Sequence, residues 1–166
     1  MQQWRYLLVA AGVALIQITL KSLDVNWVVP NLCLVLVIWF GARLSLSTLT
    51  SVVLLMGSIL LIGSAAPVGL NILALFLVVL LGKFVFHQGR GLYQLSFQIG
   101  LLWAATIAIG LLTATAVEGL SLLANWQTIL FRIGVEGLYN MIILILLVGL
   151  VSTRQREEDR YHRLPN

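Results

Sequence analysis

The chain has 166 residues, 60% of them hydrophobic and only 10% charged, with a net charge of +4 and a mean hydropathy of +1.03. Soluble domains average about 25% charged residues, so this composition cannot clothe a water-facing surface and lipid must be the main solvent. The basic residues gather at the ends of apolar runs rather than in one patch, which points to membrane orientation and away from nucleic acid.

Six apolar runs follow one another, at 4–20, 27–42, 44–62, 68–86, 92–117 and 128–152. Each is near the roughly 20 residues that a helix needs to cross a bilayer. The connections are "KSLDVN", "RLS", "GSAAP", "HQGRG" and "EGLSLLANWQ", too short to fold separately. The expected fold class is therefore an all-α integral membrane protein, a six-transmembrane-helix bundle over residues 1–153 with a charged cytoplasmic tail at 154–166. A cleaved signal peptide is the competing reading of the first run. It would need a small-residue cleavage site and a polar mature start, whereas "QITLKSLDVN" leads directly into a second crossing, so the run is read as helix 1.

Six crossings put both termini on one side, with Arg5, Arg43, Lys83, Arg90, Arg154, Arg156, Arg160 and Arg163. The other side holds Lys21, with Arg132 just inside helix 6. The excess of Lys and Arg marks the cytoplasmic side, so both termini are expected inside, and Trp27 and Trp126 fall at the outer interface.

Within the bundle, helices pack through small residues and hydrogen bonds, because apolar burial gains little in lipid. Ala10 and Ala14 in helix 1, and Gly100, Ala104 and Ala108 in helix 5, are spaced by four and mark expected contact faces. Gln17 lies near the outer end of helix 1. The single cysteine, Cys33, sits in an apolar run and reads as a packing residue, since one thiol forms neither an intrachain disulfide nor a metal cage. Ser47, Ser51 and Ser58 on helix 3 can bond back to their own helix.

Helix 3 ends in an uncharged break, "IGSAAPVGLN", before helix 4 resumes with Asn71 in its first turn. Gly63 relaxes the backbone, Ser64 can accept from freed amides, and Pro67 suits the first turn of a helix, where its missing N–H is no loss. Lacking charge, the turn fits either the floor of an outward-facing pocket beside Asn31 and Asn71 or a tight apolar hairpin.

Helix 6, "TILFRIGVEGLYNMIIL", places Arg132 and Glu136 four apart on one face, with Asn140 one turn deeper. A charge near mid-helix costs about 2.5–3.5 kcal/mol on insertion scales. The pair must neutralise itself, face a polar cavity or meet a partner. A functional polar face and an ion pair that only joins helices stay open as readings. Glu118 ends helix 5 at the outer surface. His87 and His162 lie outside the apolar runs, and no nucleophile–base pair, phosphate loop or metal-ligand spacing emerges. The expectation is a non-enzyme with no cofactor and no metal.

Three segments together resemble the rod shape-determining protein D family (MreD). They are "LIQ" at 15–17, Pro30-Asn31-Leu32 within "VPNLCLVLVIW", and the break itself, where Gly57, Ser64, Pro67 and Gly69 keep the family's spacing. Leu61 stands where that pattern has an acid, so no carboxylate role carries over. The resemblance covers most of the chain. It implies a fold similar to the substrate-binding components of energy-coupling-factor vitamin transporters. It also implies a scaffold of the bacterial cell-elongation complex in the cytoplasmic membrane, binding MreC and working with MreB, RodA and a penicillin-binding protein in peptidoglycan synthesis. The alternative is a true vitamin-binding transporter component, whose docking motif Ala10 and Ala14 resemble. Against it stand the six residues of "KSLDVN", short for a lid over a pocket. The pocket- or partner-facing residues on this reading are Gln17, Asn31, Gly57, Ser64, Pro67, Gly69, Asn71, Arg132 and Glu136.

Overall fold

A computed structural model describes residues 3–23, 28–63, 68–86, 92–118 and 125–161, with side chains left aside at 63, 68–73, 84–86, 92–94, 117–118 and 152–161. Among the described residues the regular elements are all helices, with no strand. The elements are α1 (Gln3–Ser22), α2 (Leu32–Gly41), α3 (Leu46–Gly63), α4 (Val68–Phe86), α5 (Leu92–Glu118) and α6 (Trp126–Tyr161). Among the described residues three segments are long and apolar enough to cross a membrane: Gln3–Ser22, Leu95–Ala116 and Trp126–Val151.

The second apolar run departs from expectation. A crossing over 27–42 was expected, yet the helix spans only Leu32–Gly41, about 15 Å at 1.5 Å per residue and half of a ~30 Å hydrocarbon core. The cause is local. Pro30 pushes Val29 toward extended backbone, and Asn31 then caps the helix, its side chain accepting from the Leu34 N–H at 3.1 Å. At the other end the amides of Arg43 and Leu44 both donate to the Phe40 carbonyl, at 2.9 and 2.8 Å. Lys83 of α4 donates to the Leu44 carbonyl just beyond. Ser45 caps α3 through the Thr48 N–H at 3.4 Å.

This half-length helix is the centre of the molecule. Cys33 through Ile38 are all buried, as are Phe40 and Gly41, the signature of a helix apolar on every side. It touches all five other helices. Around it α1 packs on α3, α3 on α4, α4 on α5 and α5 on α6, whereas the backbones of α1 and α6 do not approach each other closely among the described residues. The architecture is thus an open ring of five helices around a central one, with its gap between α1 and α6.

Helix-face expectations divide. Ala10 and Ala14 are 0% exposed, so helix 1 does use its small residues inside the bundle. Helix 5 does not: Gly100, Ala104 and Ala108 are exposed, and nothing lies within 4 Å of a Cβ placed on Gly100. The inward face of α5 is Gln98, Leu102, Ala105, Thr106 and Ile109. Polar side chains in apolar surroundings must find partners within the protein, and that demand outranks the packing preference of small residues. The close approach of α5 to α6 instead rests on Gly137, whose Cβ would meet the Trp103 ring at 2.6 Å, and on Gly110 opposite Ile133.

At the C-terminal end α6 continues through Tyr161, beyond its apolar segment ending at Val151, so no change of backbone structure marks the expected boundary at 153/154.

Candidate functional site

The start of α2 is where the chain's buried polar groups converge. Breaking a helix inside an apolar bundle frees backbone groups that need partners, and side chains of three other helices bear on this end. Gln17 of α1 accepts through Oε1 from the Leu32 N–H at 2.7 Å. Asn140 of α6 accepts through Oδ1 from the Asn31 N–H, also at 2.7 Å. The Nδ2 of Asn140 then donates to Thr106 of α5 at 3.2 Å, and Thr106 donates to the Leu102 carbonyl at 2.8 Å. Gln17, Thr106 and Asn140 are 1%, 2% and 0% exposed.

These contacts explain why the sequence needs amides at 17, 31 and 140. An amide side chain offers both a donor and an acceptor, so Asn140 can bind the α2 backbone with its oxygen and Thr106 with its nitrogen. One group remains unmatched: Gln17 Nε2 is buried without a hydrogen-bond partner. The junction is fully protein-bonded otherwise, and it ties α1, α2, α5 and α6 at one level. Thr106 was not singled out from sequence, although it lies two residues from Ala104 and therefore on the opposite face of its helix. Gln98, likewise buried, was also missed.

The other expected site residues are dispersed. Gly57 is buried on α3. Leu61, one turn on, is 58% exposed; an outward-facing position in an apolar setting suits leucine better than a carboxylate. Ser64 and Pro67 fall outside the described residues. Gly69 and Asn71 belong to α4, but side chains there are not described, so the expected pocket floor beside Asn31 and Asn71 is also outside the description. Asn31 itself is committed to capping α2.

Arg132 is exposed and Glu136 half-buried on α6. No close ion pair or hydrogen bond joins them. Glu136 instead lies within the field of two cations, Lys21 at the end of α1 first and Arg132 second. Spacing by four brings side chains near each other but does not fix their rotamers. The helix 3 hydroxyls do bond back to their own helix, Ser51 to the Ser47 carbonyl at 3.1 Å and Ser58 to Leu54 at 2.8 Å. Among the described residues no group of three His, Cys, Asp or Glu could hold a metal ion.

Compared with protein-family profiles, curated proteins and solved structures, the chain matches none.

Proposed function

We propose that this chain is a bacterial cytoplasmic-membrane scaffold of MreD type, crossing the membrane six times with both termini inside. In this reading it binds MreC and serves the cell-elongation complex that places peptidoglycan synthesis. The observation that carries the proposal is the junction at the start of α2. Two of the three segments that resemble the family, "LIQ" and Pro30-Asn31-Leu32, are hydrogen-bonded to each other there through Gln17 and Leu32. Segments separated in sequence that share one structural task are what a family signature of a scaffold would consist of. The central position of α2, with its apolar side chains filling the bundle, further favours a packed scaffold over a solute chamber.

The alternative of a transporter component draws on Ala10 and Ala14 as a docking motif. Ala10 and Ala14 are 0% exposed and pack inside the bundle, which favours the scaffold reading over docking through these two residues.

The test is a mild-detergent pull-down of the tagged chain from its native membrane, with mass spectrometry of proteins and retained small molecules. Recovery of MreC with wall-elongation proteins is the expected result. Transporter ATPases together with a retained vitamin would replace the proposal with the alternative.

A further inference from the structure

The gap in the helical ring is a groove of about 410 Å³ between α1 and α6, floored by the central α2. Its wall carries Val9 and Val13 of α1, and Ile143 and Leu147 of α6. Leu32, Val35, Leu36, Trp39 and Phe40 form the floor. One end is closed and the other is charged. At the closed end Leu32 adjoins the junction where Asn31 is bonded to Asn140, which ties α2 to α6. At the charged end Arg5 lines the groove. Arg43 sits there too, its guanidinium 4.5 Å from the centre of the Trp39 ring and donating to the Trp39 carbonyl at 3.2 Å. Tyr6 is close enough to act on Arg43 electrostatically, and it meets Phe40 edge-on at 5.4 Å.

We infer that this groove holds one acyl chain of an anionic phospholipid, with the lipid's phosphate against Arg5 and Arg43. Three observations select this occupant. The first is length. From Leu32 to Phe40 the floor runs about 12 Å, close to the ~15 Å of one leaflet's hydrocarbon. A partner's transmembrane helix would need a cleft through the whole bilayer, and the Asn31–Asn140 bond closes this one halfway. The second is chemistry: apart from its mouth the groove is walled by apolar side chains. The third is charge. Neither arginine has a carboxylate partner among the described residues, and a guanidinium with five donors is suited to phosphate oxygens. Tryptophan and tyrosine beside paired cations are the side chains expected at headgroup level. The inference requires only that the long helices lie in lipid; it does not depend on the scaffold role or on which side is cytoplasmic.

The test uses the purified full chain in detergent, exchanged against an equimolar mixture of phosphatidylglycerol and phosphatidylcholine with identical acyl chains. Native mass spectrometry then counts the lipids that remain. One retained lipid per chain, phosphatidylglycerol over phosphatidylcholine by about tenfold or more, is the expected result. Arg5→Gln should lower that preference about fivefold. Val9→Trp, at a half-exposed position on the rim, should abolish retention of both lipids while leaving the thermal unfolding curve in place. Equal retention of the two lipids, or an unchanged preference in Arg5→Gln, would overturn the assignment. So would a cysteine at position 9 that crosslinks to another polypeptide in native membranes, because a protein helix would then fill the gap.

Discussion

Asn140 is the residue on which the described polar contacts most depend. Its oxygen satisfies the Asn31 amide and its nitrogen bonds Thr106. Replacing it with leucine leaves the half-buried Asn31 N–H and the buried Thr106 hydroxyl each short of a partner, and Asn140→Leu should cost about 1–3 kcal/mol. Gln17 presents the opposite balance. Gln17→Met loses one bond, yet the Leu32 N–H keeps the Pro30 carbonyl at 3.2 Å, and the unpaired Nε2 disappears with the amide. That substitution should cost well under half as much. Thermal unfolding of the two variants in the same detergent checks the ordering, and a larger loss for Gln17→Met would mean that Nε2 has a partner.

Glycine makes a second residue-scale contrast, within one turn of α6. A methyl group on Gly137 would lie 2.6 Å from the Trp103 ring, whereas nothing lies within 4 Å at Gly134. Gly137→Ala should destabilise by about 1–3 kcal/mol through overpacking. Adding Trp103→Leu should restore most of that loss, and Gly134→Ala should be neutral or slightly stabilising. Unfolding curves for the three variants decide it; equal tolerance at 134 and 137 would mean that α5 and α6 are not in the contact described.

Among the elements, α2 and α6 carry the unusual demands. A ten-residue helix is short for stable formation on its own, so α2 owes its existence to the caps and to the five helices around it. Asn31→Leu removes the cap on Leu34 and should cost about 1 kcal/mol, read as a lower unfolding temperature. On α6, Glu136 lies within the field of Lys21 at the end of α1 as well as that of Arg132. Glu136→Leu alone should lower the yield of membrane-inserted protein, because it leaves Lys21 and Arg132 without their shared counter-charge. If Lys21 is the main counter-charge, Lys21→Leu with Glu136→Leu should recover that yield better than Arg132→Leu with Glu136→Leu. The reverse order would restore the intrahelical pair as the dominant interaction.

For the whole molecule, the open ring has a consequence for orientation. Arg5 at the start of α1 and Arg43 after α2 share one end of the groove, and Lys83 reaches the Leu44 carbonyl at that same end. Three basic residues expected on one side thus lie toward one end of the bundle, the arrangement that the proposed topology requires. Single cysteines at positions 3 and 43, in a chain with Cys33→Ala, should resist an impermeant maleimide in intact cells and react after lysis. A cysteine at Ser22 should react from outside. Labelling at 3 and 43 in intact cells would invert the topology.

Much of this was legible in the amino-acid sequence, because lipid imposes a composition and a segment length that few other environments share. The sequence alone determined the helical class, the approximate bounds of α1, α3, α4 and α5, and the start of α6. It also marked Gln17, Asn31 and Asn140 as polar residues in apolar runs. What the sequence could not decide was which polar groups meet. Hydrogen bonds between Gln17 and Leu32, or between Asn31 and Asn140, depend on where separate helices cross, and helical periodicity says nothing about neighbours. The halving of the second run, the outward turn of Gly100, Ala104 and Ala108, and the gap between α1 and α6 were likewise settled only in three dimensions. In each case the tertiary structure placed buried polar groups first, and the apolar and small residues took the surfaces that remained.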